Sequence, residues 1–300
     1  MAIIDYSKTL WGAFIAIILT SPSMAQKELP SYRIYDSKGK EVHFERWVKS
    51  CTESEVVFFG EHHNNPIHHW LQLKLVEEIK ERADTLVVGF EMFEWDDQQL
   101  LDEYLAGLIR FSDAEGAGNF WNNTKTDYWP IVDFCKTHHV PVVAANVPRR
   151  YASLVARAGL HALDSIGGVR WWPSDLSIIN PADTNYNAMR EMMGGHAGAG
   201  TDNLISAQAL KDATMAWRIA TNLPVSGVFV HINGSFHSER GKGIVPYLKL
   251  YLKSCCGRDL KRVMVIAPVE TDDPKLDFDK KWSKLGDYII VTPEDLTKTH

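Results

Sequence analysis

The 300-residue chain carries 45% hydrophobic and 23% charged residues, the balance of an ordinary globular protein built as one large domain, or as one domain with a sizeable insertion. Its formal net charge is -6, with Lys and Arg scattered along the chain, which excludes a nucleic-acid partner because that needs a basic patch. The four cysteines, Cys51, Cys135, Cys255 and Cys256, have neither C-x-x-C nor zinc-type spacing and read as structural or incidental; adjacent Cys255 and Cys256 do not easily bridge each other, and a long-range disulfide of Cys51 is left open.

In chain order, residues 1–25 have the form of an export signal: Lys8 in the n-region, an apolar stretch from Leu10 to Thr20 too short to span a bilayer, and Ser23-Met24-Ala25 as a small-x-small cleavage site. The mature chain is therefore expected in the periplasm or secreted, with no cysteine at the cleavage site for a lipid anchor. Next, Tyr32 to Tyr35 and Glu41 to Phe44, around Ser37-Lys38-Gly39-Lys40, predict an edge β-hairpin. Apolar runs at Val56 to Phe59, Thr85 to Phe90, Val140 to Ala145, Gly227 to His231, Val263 to Pro268 and Tyr288 to Val291 predict strands. Between them lie helical patterns such as Ile67, Leu71, Leu75 and Ile79. This alternation predicts an α/β fold, a mostly parallel sheet flanked by helices, over residues 26–150 and 223–300. Residues 151–222 are too many for one crossover helix and predict a smaller helical insertion domain, with helices at Ala152 to Asp164 and Leu204 to Leu223 and mobile loops at Gly167 to Asn187 and Met192 to Asn203.

The densest chemistry follows the first of these strands, in Gly60-Glu61-His62-His63-Asn64-Asn65-Pro66-Ile67-His68-His69. Asn65-Pro66 is a helix start, Asn as N-cap and Pro at the first helical position. Glu61 and His62 thus occupy a strand-to-helix loop at the carboxyl end of a buried strand, where open α/β sheets bind ligands, whereas His63 and His69 read as solvent-facing helix-start histidines. The other strands end on Glu91, on Asn146 and Arg149, and on His237, so a parallel sheet brings these groups to one crevice. Two carboxylates with two histidines suit a divalent metal, with Glu61, His62 and His237 as ligands, or a metal-free acid/base set in which Glu61, His62, Glu91 and His237 are catalytic and Arg149 holds an anion. Asp212 sits on a helix and reads equally well as a solvent-facing carboxylate. A second group, Phe120, Trp121, Tyr128 and Trp129 with Trp171, Trp172, Met192, Met193 and His196 in Gly-rich loops, suits a large planar ligand such as haem, whose iron accepts Tyr, His or Met. C-x-x-C-H is absent from the sequence, which excludes covalent c-type attachment.

Taken together, Val57-Phe-Phe-Gly-Glu-His62, Gly89-Phe-Glu-Met-Phe93, Ala144-Ala-Asn-Val-Pro-Arg149, Gln208-Ala-Leu-Lys-Asp-Ala-Thr-Met-Ala216 and Asn233-Gly-Ser-Phe-His-Ser238 resemble the ChaN-like haem-binding proteins, relatives of the Tiki/TraB and erythromycin-esterase-like group. The resemblance runs from about residue 50 to 270. It implies haem or iron acquisition at the bacterial envelope, haem held through a tyrosine, in some members as a dimer with stacked haems, and outer-membrane uptake machinery as a partner. Tyr128 is the first candidate for that tyrosine, with Tyr104, Tyr186 or His196 next, and Asn146, Arg149, Asp212 and His196 are the further cofactor-binding candidates. The hydrolases of the wider superfamily keep an enzyme as the alternative, a metal-dependent hydrolase acting through Glu61, His62, Glu91 and His237.

Overall fold

The computed structural model describes residues 29–180, 182–193 and 198–300; the export segment 1–25 and His196 lie outside the described residues. The elements run β1 (Arg33–Asp36), α1 (Phe44–Thr52), β2 (Val56–Glu61), α2 (Pro66–Arg82), β3 (Leu86–Glu94), α3 (Gln98–Leu105), α4 (Phe111–Ala117), α5 (Trp129–Thr137), β4 (Val142–Asn146), α6 (Arg149–Ala158), α7 (Asn187–Met192), α8 (Ala199–Asn222), β5 (Val228–Gly234), α9 (Ile244–Cys256), β6 (Val263–Thr271) and β7 (Tyr288–Pro293).

Seven strands form one sheet in the order β1-β7-β6-β2-β5-β3-β4. All neighbours are parallel except β1, which pairs antiparallel with β7 through Ile34 and Ile290. Helices cover both faces, which is why β2, β3, β4 and β5 are buried end to end and read as unbroken apolar runs. On one face Trp47, Phe59, Leu71, Leu75, Ile79 and Phe93 pack together. On the other, Ala152, Ile205, Leu210 and Ile219 from residues 151–222 share one core with Val56, Phe58, Phe229 and Leu248. The helices of that segment are thus continuous with the sheet's own core. The chain leaves β2 toward β3 over one face by α2 and leaves β5 toward β6 over the other by α9, so the carboxyl ends of β2 and β5 flank the crevice where strand order reverses. No helix among the described residues is long and apolar enough to cross a membrane.

Local sequence explains the elements that hold this crevice. The Asn65 side chain accepts from the backbone N–H of Ile67 (3.0 Å) and His68 (3.2 Å), and Pro66 opens α2 without wasting a donor. At Gly60 a Cβ would lie 2.9 Å from the Ile266 carbonyl and 3.1 Å from Ser235 Cα, so only glycine lets β2 close against its neighbours there. In β3 the register shifts between Phe90 and Glu94, and Glu94 ends opposite Asn146 of β4.

The predicted hairpin is cut short. Glu41 keeps a single antiparallel bridge to Tyr35, and Phe44 opens a helix. Phe44, Trp47, Val48 and Cys51 recur at helical spacing, and burial of the last three in the core outweighs strand pairing by the short polar segment before them. Cys51 and Cys135 are buried free thiols, and Cys255 and Cys256 are exposed ones.

Candidate functional site

Glu61, the last residue of β2, is buried yet accepts from every side. Its Oε1 takes the Tyr128 hydroxyl at 2.6 Å and His63 Nδ1–H at 2.8 Å; its Oε2 takes the Gln72 amide at 2.5 Å, with His69 Nδ1 at 3.5 Å. Burial alone would raise its pKa, but the bonds and charges of His63 and His69 hold it well below the usual carboxylate range. Reciprocally, burial works to lower both histidines, and Glu61 overrides it so that each is raised; Asp127, 3.3 Å from His69 Nε2, adds to the effect. His63 and His69 therefore belong to the site and are not the solvent-facing pair expected at a helix start.

A second ionic chain lies beside the first. His237 is buried, its Nδ1 2.5 Å from Asp212 Oδ1 and its Nε2 3.1 Å from Glu91 Oε1. The other oxygen of Glu91 accepts the Gly234 N–H at 2.7 Å, and Asp212 Oδ2 accepts the Tyr186 hydroxyl at 2.8 Å. Burial would lower His237, but the two carboxylates raise it to about 10; burial would raise Glu91, but His237, His63 and Gly234 bring it down to about 2. Asp212 is fully buried, not the solvent-facing carboxylate that was the alternative reading. Gly234 also makes room: a Cβ there would lie 2.9 Å from Cε1 and Nε2 of His63.

Both chains meet at a cavity of about 440 Å³ at the carboxyl ends of the strands, lined by His63, Glu91, Glu94, Trp121, Asn146, Val147, Arg149, Gln208, Lys211 and His237. Arg149 donates to Glu94 and to the Asn119 carbonyl. Trp121 meets the His63 ring edge-on at 4.9 Å.

The structure thus brings Glu91, Asn146, Arg149 and His237 to one cavity, with Glu61 beneath it and Asp212 behind His237. His62 is not brought there. Its ring is turned to Glu270 near the end of β6, 3.4 Å away, because α2 starts so soon after β2 that consecutive side chains part to opposite sides of the loop. Glu61, His62 and His237 therefore share no metal, and among the described residues no group of three or more His, Cys, Asp and Glu is arranged to hold a metal ion. The metal-dependent hydrolase finds no support in this geometry, and a His237 already protonated at neutral pH is a poor base. Tyr128, the first candidate for an iron ligand, does not line this cavity. It is fully buried under His69 and Trp121 with its hydroxyl spent on Glu61, and burial and that carboxylate push the phenol far above its usual range, the reverse of what a phenolate ligand needs.

Sequence reasoning missed Gln72, Glu94, Gln208 and Lys211. One signal was available: Gln208, Lys211 and Asp212 stand three and four apart, hence on one side of α8. Two substitutions separate hub from rim. Glu61→Gln is expected to cost about 2–3 kcal/mol in urea denaturation, since an amide nitrogen would confront groups that all donate, whereas His62→Ala should stay within about 0.5 kcal/mol. Equal costs would show that Glu61 is not the hub these distances describe.

In structural comparison the chain is similar to the ChaN protein of Campylobacter jejuni, reported with cofacial haem binding, at a TM-score of 0.62 and 18% identity over 86% of this chain and 96% of that one. That likeness shows the fold. Weaker similarities reach a Bacillus cereus protein (TM-score 0.43, 13% identity, 75% of this chain and 67% of that one) and an erythromycin esterase in an open conformation (TM-score 0.43, 14% identity, 80% and 77%). No curated protein matches in sequence. A family model, described as haem-binding uptake, Tiki superfamily, ChaN, matches residues 47–248, more than half of the chain and every element that builds the cavity. The protein belongs to this ChaN family of haem-binding uptake proteins.

Proposed function

We propose that the protein binds haem at the cavity on the strand ends and serves haem or iron acquisition at the bacterial envelope, exported by residues 1–25, with a second copy of itself and the outer-membrane uptake machinery as partners. The observation that carries the haem reading is His63. Its Nδ1 is taken up by Glu61, which fixes the ring and leaves Nε2 as the nitrogen for a metal, the carboxylate–histidine pairing typical of metal-ligating imidazoles. The parts of this mostly polar lining that suit a haem are an imidazole backed by a carboxylate, the Trp121 ring beside it, and Val147 as apolar wall. When bound, haem would supply an iron centre, and His63 is the residue that would hold it. The chain's own part is to orient His63 through Glu61 and to give up the second ring proton.

The test is a hemin titration of the mature chain followed by its Soret band. A saturable shift at one haem per chain, in a protein containing no stoichiometric divalent metal, is expected. No shift at micromolar hemin would remove the haem reading, and fractionation of cells would separately test the envelope location.

A further inference from the structure

The charges around the cavity cancel in pairs, save one. Glu91 faces His237 at 3.1 Å, Glu94 faces Arg149, and His63 faces Glu61 at 2.8 Å. Lys211 lines the same cavity and is half-buried, yet among the described residues it has no ion pair and no hydrogen bond. The neighbouring Asp212 does not neutralise it, because that carboxylate is turned into the core toward His237 and Tyr186. An ammonium drawn part-way out of water without a partner is unfavourable, and a protein keeps one where a ligand supplies the counter-charge. Its place on α8, three residues after Gln208, points it at the cavity and not along the helix surface.

We propose that Lys211 is the anion-recognition residue of this cavity and pairs with a carboxylate of the bound molecule, which, on the haem reading this rests on, is a propionate. Arg149 is less suited to that part because Glu94 and the Asn119 carbonyl already occupy it.

The experiment compares hemin with its dimethyl ester, which lacks the propionate charges, on the wild type, Lys211→Met and Lys211→Arg. Lys211→Met is expected to raise the Kd of hemin about tenfold, as loss of one charge-assisted contact does, with Lys211→Arg restoring most of it and the ester bound alike by all three. Hemin bound equally by wild type and Lys211→Met would overturn the proposal, and so would an equal loss for the ester, which would mark a structural role. If hemin fails to bind the wild type, the haem reading fails, and titration with succinate decides Lys211 by itself. A saturable thermal stabilisation removed by Lys211→Met upholds the anion site; no stabilisation, or one indifferent to the substitution, overturns it.

Discussion

Replacing His237 by alanine is expected to lower stability by about 3–5 kcal/mol, the cost of removing one partner from a buried ion pair. His237 stands between Glu91 and Asp212 with almost no exposure, and its removal leaves two carboxylates facing each other in the core. The pH dependence has a defined sign. The folded pKa of His237, about 10, is above the ordinary 6.5, so its contribution is full below 6.5 and is lost as pH rises through 10. Glu91, held at about 2 against an ordinary 4.5, contributes fully above 4.5 and loses that contribution as pH falls through 2. Stability from the pair is therefore greatest between 4.5 and 6.5 and declines on both sides. Urea midpoints across pH, for wild type and His237→Ala, check both points. A wild type whose stability still climbs between pH 7 and 10 would contradict the buried imidazolium.

His63→Ala is expected to weaken hemin binding at least tenfold and to move the Soret maximum, because His63 is the residue that would hold the iron. Tyr128→Phe should leave the spectrum unchanged and cost about 1–2 kcal/mol of stability for the hydrogen bond to Glu61. The two outcomes divide the His63 reading from the expectation of a tyrosine ligand. Metal ligation needs the neutral imidazole nitrogen, and Glu61 raises the pKa of His63 above the ordinary 6.5. Hemin affinity is thus expected to increase as pH rises past that value, and His63→Ala should flatten the profile. An unaltered spectrum in His63→Ala beside an altered one in Tyr128→Phe would return the tyrosine to the iron and require the buried phenol to swing out.

Much of the framework was legible in residue order. Period-four Leu71, Leu75 and Ile79 fixed α2, Asn65-Pro66 fixed its start, and unbroken runs such as Val56 to Phe59 announced strands covered on both faces, because local propensity and burial point the same way in these segments. The convergence of Glu91, Asn146, Arg149 and His237 also followed from sequence, since parallel strands end on one edge whatever their order. What residue order left open was the direction of each side chain within a loop and its partner from a distant element. His62 and His63 are neighbours in the chain, yet only the packing of α2 against β2 and the missing Cβ of Gly234 send the second into the cavity and the first to Glu270. Tyr128 looked available because an aromatic in a polar loop carries no mark of burial. Its hydroxyl meets Glu61 across 67 positions of sequence, a contact set by how α2 and the turn before α5 close over β2. The tertiary structure alone decided which charges cancel and that, among the described residues, Lys211 has no partner, since ion pairing depends on distances of a few ångströms between strands and helices that sequence spacing does not encode.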